Sequence, residues 1–432
     1  RKEKDNVFGQ GTRTPIAISI LVKNPDAKEH GKIYWYDIGD YLTQAQKLEI
    51  VSQFGSLKGI TAAKGWQAIT PDAHHDWVNQ RDDSFDQFIR IGIKSGGDTN
   101  SVFKNYSSAM KSGRDAWCCN MSRTELIENM QRMIAFYNRQ RREYHESNRA
   151  EKIDEFIDFD PTKISWNRAL KNDFSGNKEH HFSSESVVEN VYRPFSKQWT
   201  YFSRSMNDLV SLMPKIFPSN GTQNELIAIT GTGETKEFTA LISNCLPNYH
   251  FVAGGQCFPL YLYEKADEST TDSDDLFSLA ASEPNTPSSA PHATHRRKDG
   301  ISDAGLAHFQ AAYPGETISK EDLFYYIYGL LHSPEYRSRY ADNLSKELPR
   351  IPAVKQAKDF RAFSQAGRDL AHWHLNYETV DPYPAKLDTD KAPGTQNSRS
   401  APQQLSPEDY RVTKMKFAKV KDPATGKSVA DK

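Results

Sequence analysis

The run from Ser319 to Pro352, SKEDLFYYIYGLLHSPEYRSRYADNLSKELPRIP, constrains the fold more than any other part of this 432-residue chain. Ser319 and Asp322 stand three apart, the spacing at which a helix-capping hydroxyl and an acidic side chain satisfy each other's free amides. Leu323, Ile327 and Leu330 then mark one helical face, and Ser333-Pro334 opens a second helix with proline in its first turn. Pro349 and Pro352 bound the exit. Locally this predicts a helical hairpin.

The same rules organise the rest of the chain. Thr43 is placed to cap a helix ending at Phe54. Ser122-Arg123-Thr124-Glu125 forms a capping box ahead of a long helix, whose Leu126, Met130, Ile134 and Tyr137 recur at helical spacing and should pack inward. Its far end carries Arg139-Gln140-Arg141-Arg142, where positive charge suits the helix macrodipole. Pro15 to Lys23 is an apolar, β-branched run, and with Ile33 to Tyr36 it reads as two strands at a buried sheet edge. From about Ser56 strands and loops dominate, and Leu226 to Thr230 is a further strand.

Residues 266–300 are rich in Ser, Thr, Pro, Asp and Ala, which predicts a disordered insertion. Helices resume near Asp303, and Phe360 to Tyr377 supplies another. Pro382 to Pro407 is loop-like. Tyr410 to Val420 alternates like a strand with no partner following it, and a lone strand is not stable. The first residue, Arg1, is not an initiator methionine. The expectation is a fragment of a longer protein.

A chain of this length predicts two to three domains. No apolar run approaches membrane-spanning length and no secretory signal opens the sequence, so a cytoplasmic location is expected. The four cysteines, Cys118, Cys119, Cys245 and Cys257, lack C-x-x-C spacing, which argues against a zinc site or a disulfide scaffold. Net charge is −1, and that alone counts against nucleic-acid binding, where a basic stripe is the usual footprint. The charge is segregated, however. Residues 90–149 hold eleven basic and six acidic side chains, whereas residues 264–283 hold seven acidic side chains against Lys265. An ordinary solvated helix face would also account for the basic region.

Four segments, in order, carry a family resemblance: VFGQGTRTPIAISILVKNP with IYWYDIGDYLTQAQKLEIV (7–25 and 33–51), VYRPFSKQWTYF (191–202), ITGTGETKEFTALISNCLPNYHFVAGGQCFPLYLY (229–263), and the 322–352 run. Together they resemble the C-terminal part of type ISP restriction–modification enzymes. In that family nuclease, translocase, adenine-N6 DNA methyltransferase and target recognition share one polypeptide. The resemblance implies an α+β (mixed α/β) fold. The terminal strands of a Rossmann-like methyltransferase would occupy residues 1–55 and a target-recognition domain 56–265. The insertion (266–300), a helical part of the specificity region (301–385) and a loop with a truncated strand (386–432) would follow.

The parent enzyme would methylate adenine from S-adenosylmethionine, but this chain lacks the motifs for it. A DNA adenine methyltransferase holds its flipped base with [NDS]-P-P-[YFW]. Asn24-Pro25-Asp26 and Asp381-Pro382-Tyr383-Pro384 both lack the second consecutive proline. Phe8-Gly9-Gln10-Gly11 has the wrong glycine spacing for a cofactor loop. Gly231-Thr232-Gly233-Glu234-Thr235-Lys236 fails the P-loop pattern, which needs four residues between its glycines, and reads as a turn. Neither His74-His75, His180-His181 nor His372-x-His374 converges on one point as a metal site would require. No catalytic, cofactor-binding or metal residue is therefore assigned.

The implied partners are double-stranded DNA and the nuclease, translocase and methyltransferase domains of the same polypeptide, with no membrane. Candidate DNA contacts are Lys111, Arg114, Arg139, Arg141, Arg142, Arg193, Lys197 and Arg204. Lys111-Ser112-Gly113-Arg114-Asp115 resembles the family's T-x-R-D segment. An arginine beside glycine on a turn can pair with a phosphate or with guanine O6 and N7, or stay local in an ion pair with Asp115. Two other readings stay open: a stand-alone methyltransferase with an atypical loop at Phe8 to Gly11, and a non-catalytic module that couples domains.

Overall fold

The computed structural model describes residues 4–8, 16–94, 100–147, 152–265, 295–381, 419–421 and 428–430. It divides into a large unit, Arg1–Val380, and a small one, Asp381–Lys432. The fold is mixed α+β.

One four-stranded antiparallel sheet lies at the centre of the large unit. Its order is Ala240–Ser243, Leu226–Ile229, Gln256–Pro259 and Ser107–Ser108. Side chains alternate across a strand, and here both faces are buried. Ile227, Ile229, Ala240, Ile242 and Phe258 enter an aromatic-rich core. Leu226, Ala228, Leu241 and Cys257 enter a second core with Met110, Met213 and Phe251. This double burial explains why Leu226–Ile229 is continuously apolar rather than alternating.

The aromatic core is closed by the Lys320–Leu330 helix, in which Ser319 and Asp322 form the expected capping box. More than the one predicted face is buried: Phe324, Tyr326 and Tyr328 join Leu323, Ile327 and Leu330. Burial of these phenols is tolerable because each hydroxyl is bonded. Tyr326 donates to Pro352 O at 2.6 Å, and Tyr328 lies 2.5 Å from His374 Nδ1. The hairpin expectation needs correction. After Ser333-Pro334 the second helix is broken at Tyr340 into Pro334–Arg339 and Ala341–Lys346, where the buried Tyr340 ring packs against Phe85 and Phe88. The true partner is the Ala357–Leu375 helix. It crosses where Gly329 and Gly367 meet, each leaving no room for a Cβ against the opposite backbone.

A third core packs under the Arg123–Glu146 helix. Ser122 accepts from the Glu125 amide, but the expected capping box is only half formed, because Asn120 Oδ1 and not Glu125 accepts from the Ser122 amide at 2.8 Å; Leu126, Met130, Ile134 and Tyr137 point inward as expected. They meet Trp117, Ile164, Leu170 and Phe174. Beside it runs a second four-stranded sheet, ordered Leu246–Pro247, Val187–Arg193, Ser196–Tyr201 and Cys119–Asn120.

Three further expectations change. The Gln44–Phe54 helix has its Thr43 capping box, but Ile16 to Lys23 forms no strand, and Ile18, Leu21 and Val22 are 84–90% exposed. Ile33–Trp35 pairs with Gln67–Ile69 instead. An apolar run is a strand only when an edge supplies its hydrogen bonds, and none of the described residues does so here. The predicted insertion is too long at its C-terminal end, because His295–Asp299 is a strand paired with Tyr261–Lys265. The rest of it, 266–294, lies outside the described residues, as do Gly9 to Gly11 and 382–407. In the small unit Lys419–Lys421 pairs with Ser428–Ala430, so the terminal strand has a partner; 410–418 is outside the described residues.

Candidate nucleic-acid interface

Loops from several parts of the chain meet around the Lys111–Asp115 turn, beside the two four-stranded sheets. Lys111 and Leu209 exchange backbone hydrogen bonds of 2.9 and 3.1 Å, and the Asp208 amide donates to Ser112 O at 3.2 Å. Gly113 is required in this turn. Its φ is +67°, and the Asp208 carboxylate occupies the space a Cβ would need. Asp208 also accepts from the Asn167 side-chain amide.

Asn248 ties the next loop in. Its amide donates to Val191 O at 3.0 Å, and the preceding carbonyl accepts from Met110 N at 3.0 Å. Arg193 Nη1 lies 3.5 Å from Asn248 Oδ1, so Lys111 and Arg193 are brought together across Asn248. The Arg193 side chain folds back, donating to Tyr192 O at 2.7 Å with its guanidinium 3.9 Å from the Tyr192 ring. Arg204 is exposed on the 203–207 turn, which follows Tyr201 at the end of the strand pair opposite Arg193 and reaches the Lys111 turn through Asp208 and Leu209. Lys111 is also exposed.

Arg114 does not share that surface. It is 4% exposed, and none of its three guanidinium nitrogens has a hydrogen-bond partner among the described residues. Burial depresses its pKa, opposed by the nearby Cys118 and Asp208. The ion pair with Asp115 is not formed either, because Asp115 instead accepts from Ser112 Oγ and, at 2.9 Å, from the Tyr192 hydroxyl. Trp117 and Cys118 draw the short Asp115–Cys118 helix that follows into the core. The turn chemistry in the sequence shows none of that.

The cations at the end of the long helix divide by helical position. Arg141 continues the buried Ile134–Tyr137 face and is itself buried; it donates to Asn177 O at 3.1 Å and lies 3.3 Å from Glu179. Arg139 and Arg142 are exposed. Arg139 rests over the Phe136 ring at 5.0 Å, with Glu143 at 3.9 Å. Lys197 lies opposite Val191 on the same hairpin as Arg193, but its ammonium is held between Glu378 at 3.2 Å and Glu189 at 3.6 Å. Beside the Asn167–Asp208 contact is a cleft of about 590 Å³, lined by Trp166, Asn167, Arg168 and Lys171 among others.

Two cationic groups escaped the sequence reading. Arg168 and Lys171 sit on a short helix whose start is visible only as the Asn167 cap. Arg296, Arg297 and Lys298 were absorbed into the predicted insertion, although the H-R-R-K run was a signal in itself. Among the described residues no group of histidine, cysteine or acidic side chains is placed to hold a metal ion. The cysteines are free; burial pushes the Cys118 thiol up to about 12 and holds those of Cys119 and Cys245 near about 11. No described helix is long and apolar enough to cross a membrane.

The described residues thus present basic loops on a mixed α+β unit. The chain belongs to the Type ISP C-terminal specificity domain family, whose model matches residues 101–428. It is similar to the ATP-dependent Type ISP restriction-modification enzyme LlaBIII bound to DNA, at 31% identity and a TM-score of 0.68, covering 84% of this chain and 21% of that one. A nuclease-deletion mutant of the Type ISP enzyme LlaGI in complex with a DNA substrate mimic is 32% identical, with a TM-score of 0.70 over 88% of this chain and 31% of that one. The DrdV–DNA complex is 28% identical, with a TM-score of 0.64 over 82% and 32%. This chain thus spans between a fifth and a third of those relatives. No curated protein matches it.

Proposed function

We propose that this chain is the DNA target-recognition part of a single-polypeptide type ISP restriction–modification enzyme, acting in the cytoplasm. The observation that carries the reading is its similarity, over more than four-fifths of its length, to three solved relatives that hold DNA. Its task would be to read a short duplex site and to present the target adenine to a methyltransferase using S-adenosylmethionine. Residues 1–55 would complete that methyltransferase domain, which accounts for the exposed apolar side chains of Ile18, Leu21 and Val22. Residues 56–265 and 301–385 would form the recognition region. Translocation and cleavage would belong to other parts of the polypeptide.

Within the chain the loop cluster is the proposed reading surface. Lys111 and Arg204 are solvent-facing, and Arg193 would reach DNA by giving up its bond to Tyr192 O, its stacking on the Tyr192 ring and its contact with Asn248. Arg139 and Arg142 would add phosphate contacts, which position the protein without specifying sequence. Arg114 and Arg141 take structural places, and Lys197 stays with its two glutamates.

The test is selection from a randomised duplex pool by the purified chain at low and moderate salt, repeated with Lys111→Ala/Arg204→Ala. Enrichment of one short motif, weakened by the double substitution, supports the reading. Binding that is sequence-blind and lost with salt leaves only backbone electrostatics and refutes autonomous reading by this chain.

A further inference from the structure

The Tyr261–Lys265 and His295–Asp299 strands form a ribbon that pairs with no other strand among the described residues. In its register Leu262 faces Lys298, Tyr263 faces Arg297 and Glu264 faces Arg296. Opposed residues share a face and neighbours alternate, so Arg296 and Lys298 lie on one face and Arg297 on the other.

The base of the ribbon is firmly held. Tyr261 N donates to Asn224 Oδ1 at 3.1 Å, the Tyr261 hydroxyl to Glu321 at 2.6 Å, and the Tyr263 hydroxyl to Gln223 O at 2.7 Å. Both acids with described side chains on the ribbon are neutralised: Glu264 by Lys298 at 2.5 Å, and Asp299 by Lys320 at 2.8 Å. Arg296 and Arg297 are exposed and have no acidic partner among the described residues. The Arg297 guanidinium is steadied over the Tyr261 ring at 4.3 Å. Lys215 adds to the same field; with Lys298 and Arg296 it depresses the Glu264 carboxyl. Arg296 thus lends charge to Glu264 across the ribbon and Arg297 rests on Tyr261, but neither is in an ion pair with a described acid and both face solvent.

We propose that this ribbon is a phosphate-contacting arm for duplex DNA flanking the site read by the loop cluster. It rests on the DNA-recognition reading above. A two-stranded ribbon fits the roughly 12 Å major groove, and cations on both faces would meet phosphates on either wall. The Gln256–Ser108 pair lies near Lys111, and Leu262, on the next strand, is six residues further along the chain. At about 3.3 Å per residue that is at most about 20 Å, or roughly six base pairs at about 3.4 Å each.

The experiment compares the 432-residue chain with its Arg296→Gln/Arg297→Gln variant, measuring duplex affinity against salt. Two lost phosphate contacts should flatten the log–log slope by about 1.8 and leave the preferred sequence unchanged. A second measurement shortens the DNA. Trimming about six base pairs of flank from one side of the site should reproduce the loss, and the variant should ignore that trimming. An unchanged slope, or no effect of trimming, overturns the arm and leaves the recognition reading intact. A changed sequence preference also overturns it, since the contact would then be to bases. Failure of wild type to bind any duplex overturns both.

Discussion

Substituting Gly367 by alanine should loosen the contact on which the aromatic core depends. A Cβ at Gly367 would overlap the Tyr325 carbonyl, and one at Gly329 would overlap that of Phe363. In both cases the obstacle is backbone, which cannot rotate aside as a side chain would. The helices must therefore separate, and overpacking of this kind costs about 3 kcal/mol at the upper end of its usual range. Alanine returns about 1 kcal/mol through better helix propensity. The net expectation is a loss of about 2 kcal/mol.

Separation would also strain the 4.6 Å stacking of Tyr326 on Phe360, the Tyr328–His374 contact, and the Ser364 hydroxyl donated to Asp322 O at 2.9 Å. Urea unfolding followed by near-ultraviolet circular dichroism reads this directly, since the tyrosines report on the core. Gln365→Ala, on the exposed side of the same helix, is the control and should change stability by no more than a few tenths of a kcal/mol. The double alanine variant should cost less than the sum of the two singles, because the helices separate only once. If Gly367→Ala is as stable as wild type, or more stable, the helices do not meet backbone to backbone and the reasoning fails.

Two further expectations concern buried charge. Arg114→Met removes an unpartnered guanidinium, so stability should be unchanged or rise by about 1 kcal/mol, with DNA affinity unaltered; a loss above about 1 kcal/mol in thermal or urea unfolding would reveal a partner for that group. His332 is pushed down to about 4, chiefly by burial and then by Arg337 and His374. Between the ordinary histidine value of about 6.5 and about 4 the unfolded chain takes up a proton that the folded one refuses, so stability falls as pH falls, by up to about 3 kcal/mol. His332→Gln should flatten that slope between pH 7 and 4.5, and an identical pH profile would show that the group titrates normally.

The features legible in the sequence are those decided within about four residues. Thr43 with Gln46, Ser122 with Glu125, Ser319 with Asp322 and Ser333 before Pro334 all start helices as read, because a cap bonds only to its own first turn. The inward face of the long helix was equally legible, and continuing its spacing one step reaches the buried Arg141. What was misread depended on distant partners. Ile16 to Lys23 has strand-like composition but no edge to pair with, and His295–Asp299 looks like insertion yet is held by Tyr261–Lys265.

Family membership, too, was carried by ordered segments of the sequence itself. Which cations face solvent was not. Arg114 and Lys111 stand three residues apart in one polar turn, yet one is sealed beneath the 203–209 loop and the other is open. Local chemistry sets the backbone and the caps. Burial of a charge is set by whatever packs over it, and here that comes from a segment about ninety residues away.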